Sequence, residues 1–151
     1  MKKKAIICDI DGCLLDTAQI HKDIKELGLE GGAKWRYFGA KANDIRTVKF
    51  NHNMANLLKT LADTGVKIIL LTARSESIRY QTRVRLDYEI DAAFNYDLLM
   101  RPINDFSDSS TIKFNHLKKI LNGYEVILAI DDEDTNLKMF SFNGIFAMKP
   151  I

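Results

Sequence analysis

Two cysteines, two prolines and a single tryptophan stand in a chain of 151 residues, and each scarcity closes off a class of protein. Two cysteines cannot staple a small secreted scaffold. Cys8 and Cys13 lie too near each other in sequence to close a useful loop, so their expected role is packing in a reducing compartment. No low-complexity tract and no internal repeat is visible, hence no linker, and residues 1–151 are expected to form one domain. No apolar stretch approaches a membrane span. Only four apolar residues follow Met1-Lys2-Lys3-Lys4, which is too short for a secretory signal. An excess of charge of one sign is lacking too: 22 basic against 20 acidic residues leave a net +2. Overall charge therefore demands no polyanionic partner, although local basic patches stay open. The chain is 46% hydrophobic and 28% charged, ordinary globular material that can bury one good core. A soluble cytoplasmic protein is the expectation.

What is present gathers at the ends of short apolar runs. Residues 4–15 read KAIICDIDGCLL. Ala5 to Cys8 is apolar, bounded by charge on one side and Gly12 on the other, the pattern of a buried strand that ends in a turn. Residues two apart on an extended backbone share a side, so Asp9 and Asp11 are expected to face one spot where strand gives way to loop. Two anions held that close call for a cation, and the carboxyl ends of strands are where ligands bind in an open α/β sheet. By itself, DxDG reads equally well as a polar strand exit with a turn glycine.

Three later stretches change the balance. Residues 68–74, IILLTAR, form an apolar run that reaches Thr72 and continues to Ala73 and Arg74. Lys113 lies in SSTIKFNHLKKIL, and residues 126–132, VILAIDD, end in Asp131 and Asp132. Singly, each has an ordinary explanation. Thr72 suits a helix N-cap, Lys113 a solvated helix face, and the acid pair the start of a helix. In the order Asp-x-Asp, strand-Thr, Lys, strand-Asp-Asp, the chain resembles the haloacid dehalogenase (HAD) superfamily of phosphotransferases over residues 9–132.

Charge alone already suggests the chemistry. A carboxylate attacks phosphorus once the target's charge is neutralised, and Asp9 is the candidate nucleophile. Asp11, two residues on, is placed to protonate the leaving oxygen and then to deprotonate a water. A hard divalent ion takes oxygen ligands, so Asp9, Asp11, the backbone carbonyl at the strand exit and an acid of the fourth strand make a natural Mg2+ site. The resemblance implies Asp132 rather than Asp131 in direct contact, with Asp131 kept among the metal-site residues. It also implies that Thr72 binds phosphate and that Lys113 restrains the nucleophile and the phosphoryl charge. Thr72, Ala73, Arg74, Arg101 and Lys113 are the expected substrate contacts.

Periodicity fills in the rest. Strands are expected near 4–9, 66–71, 94–100, 126–130 and 144–148. Helices are expected within 16–29, over 51–63, after Ser75, over 111–121 and from 134 to 140. A helix opening just after Thr72 would aim free amides at the site. Its arginines, Arg79, Arg83 and Arg85, suit a solvated face more readily than nucleic-acid contact. Strands alternating with helices imply a three-layer, doubly wound, Rossmann-like α/β fold with a mainly parallel sheet. Residues 33–47 show no clean period. The resemblance implies that residues 16–47 form a cap-like insertion, too small for a full cap domain and leaving an open site. Trp35, Arg36 and Tyr37 are candidates for base stacking, against the plainer role of packing the insertion down.

A narrower similarity concerns residues 98–113, LLMRPINDFSDSSTIK. They look like the corresponding stretch of polynucleotide kinase/phosphatases and related phage-type phosphatases. There an arginine after the third strand is followed by D-x-R-x-D and the lysine. Arg101, Asp105, Asp108 and Lys113 match in order, and Ser107 stands where the motif has arginine. No GxxxxGK[ST] string occurs in residues 1–151, so no kinase half is expected among them. The implied substrate is a nucleotide or a nucleic-acid 3′-phosphate end. A small-metabolite phosphatase of the same fold is the alternative. A non-catalytic phosphate-binding protein is argued against by the intact set Asp9, Asp11, Thr72, Lys113 and Asp132.

Overall fold

In the computed structural model, which describes residues 1–151, strand β1 (Lys3–Cys8) occupies the middle of the sheet, and every residue from Ala5 onward is buried. A strand covered on both faces must be apolar at every position, which is why AIIC shows no alternation. The later strands are β2 (Lys67–Ser75), β3 (Tyr96–Arg101), β4 (Tyr124–Ile130) and β5 (Ala147–Met148). All pair in parallel, in the order β3-β2-β1-β4-β5. The helices are α1 (Ala18–Glu26), α2 (Gly31–Lys41), α3 (His52–Ala62), α4 (Arg79–Ile90), α5 (Ser109–Gly123) and α6 (Asp134–Phe142).

Two apolar layers hold helices to the sheet. Ile6, Cys8, Ile68 and Leu70 pack with Met54 and Leu58 of α3 and with Leu86 and Ile90 of α4. Ala5, Ile7, Ile69 and Leu71 pack on the other face with Leu117 and Ile120 of α5 and Phe140 of α6. This is the expected three-layer, doubly wound arrangement. The chain passes from β1 to β2 on one side and later places β4 on the other. The topological switch therefore falls at the carboxyl end of β1, between β2 and β4. No helix is long and apolar enough to cross a membrane.

The loop after β1 is pinned by its own backbone. The amides of Cys13, Leu14 and Leu15 all donate to the Ile10 carbonyl, at 3.1, 2.8 and 3.0 Å. Gly12 adopts φ +79°, a left-handed conformation that costs glycine little. Asn51 caps α3 by accepting from the Met54 amide at 3.0 Å, and its own amide donates to the Cys13 carbonyl at 3.1 Å. Leu15 bridges antiparallel to Phe50, so residues 16–47 leave and return beside this loop.

Three expectations are corrected. Residues 33–47 are not an irregular excursion throughout, because α2 covers the first part. Phe38 is its only buried side chain, and a helix that buries one residue writes no apolar stripe into its sequence. Gly31 opens that helix at φ +55°. No helix begins directly after Thr72. β2 continues to Ser75, which pairs with Arg101 of β3, and a 3-10 turn (Glu76–Ile78) precedes α4. Ser75 caps that turn, accepting from the Ser77 amide at 3.1 Å. Finally, Arg85 is not on a solvated face. It is buried, donating to the Val48 carbonyl at 2.7 Å and to Glu89 at 3.0 Å.

Candidate active site

Asp9 is the first residue beyond β1, its amide still on the Ile130 carbonyl of β4 at 2.9 Å. The carboxylate is buried, and its Oδ1 lies 3.0 Å from Lys113 Nζ. Lys113 reaches in from α5, whose first turn is fixed by Asp108 accepting from the Thr111 amide at 2.8 Å. Its side chain is almost wholly enclosed, and its ammonium also donates to Asp131 Oδ2 at 2.6 Å. The other Asp131 oxygen accepts from the Glu133 amide at 3.0 Å and from Asn136 Nδ2 at 3.2 Å. Asn136 is fully buried and in turn accepts from the Ser110 hydroxyl at 3.0 Å, so α5 and α6 are tied together behind the ion pair.

Burial drives the Asp9 carboxyl well above the ordinary carboxylate range; Lys113 opposes this, while Asp131 and Asp11 add to it. Burial pulls the Lys113 ammonium down, but Asp9 and Asp131 together outweigh it and hold the group above its usual value. Asp132 is raised by burial and by Asp131.

Asp132 faces the Gly12 backbone so closely that a Cβ on Gly12 would stand 2.1 Å from its Oδ2. Donor atoms of Asp9, Cys13 and Asp132 lie within 4.8 Å of one another. The Cys13 thiol is pushed up, first by its contact with Cys8 and then by burial, so it stays protonated. Asp9 and Asp131 thus share one buried ammonium while the exposed Asp132 stands beside Asp9, an anionic surplus with two carboxylates converging from separate strands. That donor set fits a hard divalent cation, with Asp9 and Asp132 as the side chains that would hold it. Thr72, buried within the neighbouring strand β2, accepts from the Arg74 amide at 3.0 Å and keeps its hydroxyl hydrogen free to donate.

Asp11 turns elsewhere. Arg74 Nη2 donates to Asp11 Oδ1 at 2.7 Å and Arg74 Nε to Oδ2 at 2.9 Å, a bidentate pair. The same guanidinium donates to Asn43 Oδ1 at 2.6 Å, to Thr82 Oγ1 at 3.2 Å and to the Ala42 carbonyl at 3.2 Å. Arg101 donates from Nε to the Ala73 carbonyl at 2.9 Å and from Nη1 to the carbonyls of Asp105, at 3.1 Å, and Ser107.

The family model of the polynucleotide kinase PNKP phosphatase domain matches residues 36–149. The chain belongs to this family. That family is a phosphatase domain of the haloacid dehalogenase type. The PNKP-phosphatase fold is also similar to a chain in the structure of the Pnkp1/Rnl/Hen1 complex. The TM-score is 0.75 and the identity 25%, covering 98% of this chain and 46% of that one. A chain in the structure of the Pnkp1/Rnl/Hen1 RNA repair complex gives 0.74 and 28%, covering 98% and 42%. The present chain therefore spans less than half the length of either. A class C acid phosphatase from Bacillus anthracis with tungstate bound shares the fold, at TM-score 0.66 and 15% identity over 97% of this chain and 67% of that one. Among curated proteins none matches in sequence.

Measured against the sequence expectations, Asp9, Lys113, Asp131 and Asp132 converge at the carboxyl ends of β1 and β4. The Asp11 carboxylate, expected among the metal ligands, is taken by Arg74 and lies outside the Asp9–Cys13–Asp132 group. Asp131 likewise serves Lys113 and Asn136. Arg74, expected as an available substrate cation, has no exposed side-chain surface because six hydrogen bonds to protein atoms enclose it. Sequence reasoning missed Asn43 and Asn136. Asn43 sits in the aperiodic insertion, and Asn136 inside a helix whose start Asp134 already explained, so neither carried a pattern.

Lys113→Met removes the only ammonium between two buried carboxylates, and near neutral pH it should cost about 3–5 kcal/mol of stability. Without its partner the Asp9 carboxyl rises further above its unfolded value. A raised carboxyl contributes stability that is present at low pH and lost as pH rises through the folded value. The variant's deficit should therefore shrink in mild acid, as measured by urea unfolding at the two conditions; a deficit that does not change with pH contradicts this electrostatic assignment.

Proposed function

We propose that the chain hydrolyses phosphomonoesters through a phosphoaspartate on Asp9, with Mg2+ as its ion and a nucleotide or nucleic-acid 3′-phosphate end as its substrate. The observation that carries this reading is the buried Asp9 carboxylate, 3.0 Å from Lys113 and grouped with Asp132 at the switch point of the sheet. An Asp9 oxygen attacks phosphorus, the P–O bond to the leaving group breaks, and the leaving oxygen takes the proton of Asp11. A water oxygen then attacks the same phosphorus and gives its proton to Asp11. The Asp9–phosphorus bond breaks, inorganic phosphate departs and both carboxyl groups are restored. Lys113 holds Asp9 in place, and the Thr72 hydroxyl donates to the transferring group. Asp9 and Asp132 would hold Mg2+, which when bound would neutralise phosphoryl charge.

In this reading Arg74 is a positioning residue. Its fork sets the direction of the Asp11 carboxyl, and lysine keeps the charge without the fork. Arg74→Lys should lower kcat on an alkyl phosphate about 100-fold, the scale of general-acid assistance. On p-nitrophenyl phosphate, whose leaving group departs without a proton, the loss should be much smaller. Equal losses on the two esters contradict the role.

The nucleic-acid preference is supported by the PNKP-phosphatase family and by the similarity to chains of an RNA repair complex. A panel of 3′-phosphorylated oligonucleotide, nucleotide and sugar phosphate tests it, each measured with and without chelator and at rising salt. Phosphate release should stop on chelation. The oligonucleotide should be the best substrate at low salt and lose its advantage steeply as salt rises. Full activity in chelator, with absence of metal confirmed by elemental analysis, contradicts the ion. Equal efficiency for oligonucleotide and sugar phosphate across the salt range replaces the nucleic-acid reading with the small-metabolite one.

A further inference from the structure

We propose that Trp35 is the platform on which the terminal base of the substrate stacks, an inference that rests on the nucleic-acid reading above and assigns a specificity residue to it. Helix α2 is anchored beside the end of β2. Phe38 sits under the Arg74 guanidinium, 5.5 Å from its carbon to the ring centre, and the Ala42 carbonyl accepts from the same arginine. Gly39 packs against Ile78, where an added Cβ would stand 3.4 Å from a methyl group. The helix thus roofs the carboxyl end of β2. One turn earlier along it, Trp35 reaches the end of the next strand, with the Arg101 guanidinium carbon 5.7 Å from its ring centre.

Arg101 is the link between this ring and the chemistry. Its Nε holds the Ala73 carbonyl at 2.9 Å, directly after Thr72. The indole therefore stands one arginine away from the segment that would hold the phosphoryl group. In a nucleic-acid 3′ end, only the sugar separates that phosphate from the base. The plainer role for an aromatic in a short insertion is to pack it down, and Phe38 does so, being 5% exposed. Trp35 does not, at 45% exposed. Its other neighbour is Lys34 Nζ, 5.0 Å from the ring centre, a flexible cation that a base can displace. Phe106, 85% exposed, lies in the loop whose Asp105 and Ser107 carbonyls Arg101 grips, so a second open aromatic is anchored to the same guanidinium. Stacking needs only the π-face that every base has, so the platform should accept all four bases. A sugar phosphate offers it nothing.

Trp35 is the chain's single tryptophan, so indole emission reports this ring alone. The Asp9→Asn chain, which should bind without turnover, is titrated with a 3′-phosphorylated trinucleotide, with the same trinucleotide made abasic at its 3′ residue, and with inorganic phosphate. The base-bearing end should quench the emission, the abasic end should quench it far less, and phosphate should leave it unchanged. With Asp9 intact, Trp35→Ala should lower the ratio of kcat/KM for the base-bearing over the abasic end about tenfold, and Trp35→Phe should retain most of that ratio. Equal quenching by both ends, or a ratio unchanged in Trp35→Ala, overturns the assignment. If the trinucleotide is hydrolysed well and the emission does not move, Trp35 alone is wrongly assigned. If it is neither bound nor hydrolysed while a sugar phosphate is, the nucleic-acid reading fails and the platform with it.

Discussion

One ammonium, Lys113 Nζ, stands 3.0 Å from Asp9 and 2.6 Å from Asp131 in a place where almost no water reaches, and the rest of the site is arranged around the imbalance this creates. Burying a charge without a partner costs several kcal/mol, and a buried pair survives only when its remaining lone pairs are satisfied. Asp131 meets that condition through the Glu133 amide and Asn136. Asp9 does not meet it fully, since burial outweighs Lys113 and leaves its carboxyl raised. A carboxylate that is short of positive charge at a strand end, beside Asp132, is ready both for a hard cation and for an electrophile. The fold supplies that location by burying β1 on both faces, so the chain exits into a pinned loop rather than into solvent.

A second arrangement is separate from the first. Arg74 removes Asp11 from the anionic group and ties it to Ala42 and Asn43 at the end of the insertion. Two carboxylates that leave the same strand, two residues apart, thereby acquire different surroundings: one beside an ammonium and Asp132, the other in an arginine fork. Separate surroundings are how paired acids are given separate roles. The insertion consequently does more than cover strand ends, because its last turn supplies two of the acceptors that hold the guanidinium.

Much of this was legible in the sequence. The strand ends at Asp9 and Asp131-Asp132 were readable because apolar runs of buried parallel strands are unambiguous when acid follows. The helix cores over 51–63 and 111–121 were readable from period. The helix α2 was not, since its hold on the fold comes from Phe38 and from polar contacts to Arg74 rather than from a stripe. The length of β2 past Thr72 was not, because pairing of Ser75 with Arg101 is a non-local contact. The fates of Arg74 and Arg85 were hidden for a related reason: arginines on a short run read as solvated, and only the fold shows that Asp11, Val48 and Glu89 enclose them. Asp11 and Asp9 look equivalent in the string DID, and the residue that separates them lies on another strand.

The central claim is that Asp9 carries the phosphoryl group covalently. The most direct measurement is reduction of the chain with borohydride during turnover, followed by mass analysis of the peptide that contains residue 9. An acyl phosphate is reduced to the alcohol, so the account predicts homoserine at position 9, dependent on substrate and absent from the Asp9→Asn chain. Sustained phosphate release with an unmodified aspartate at position 9, or with homoserine at another position, would contradict it.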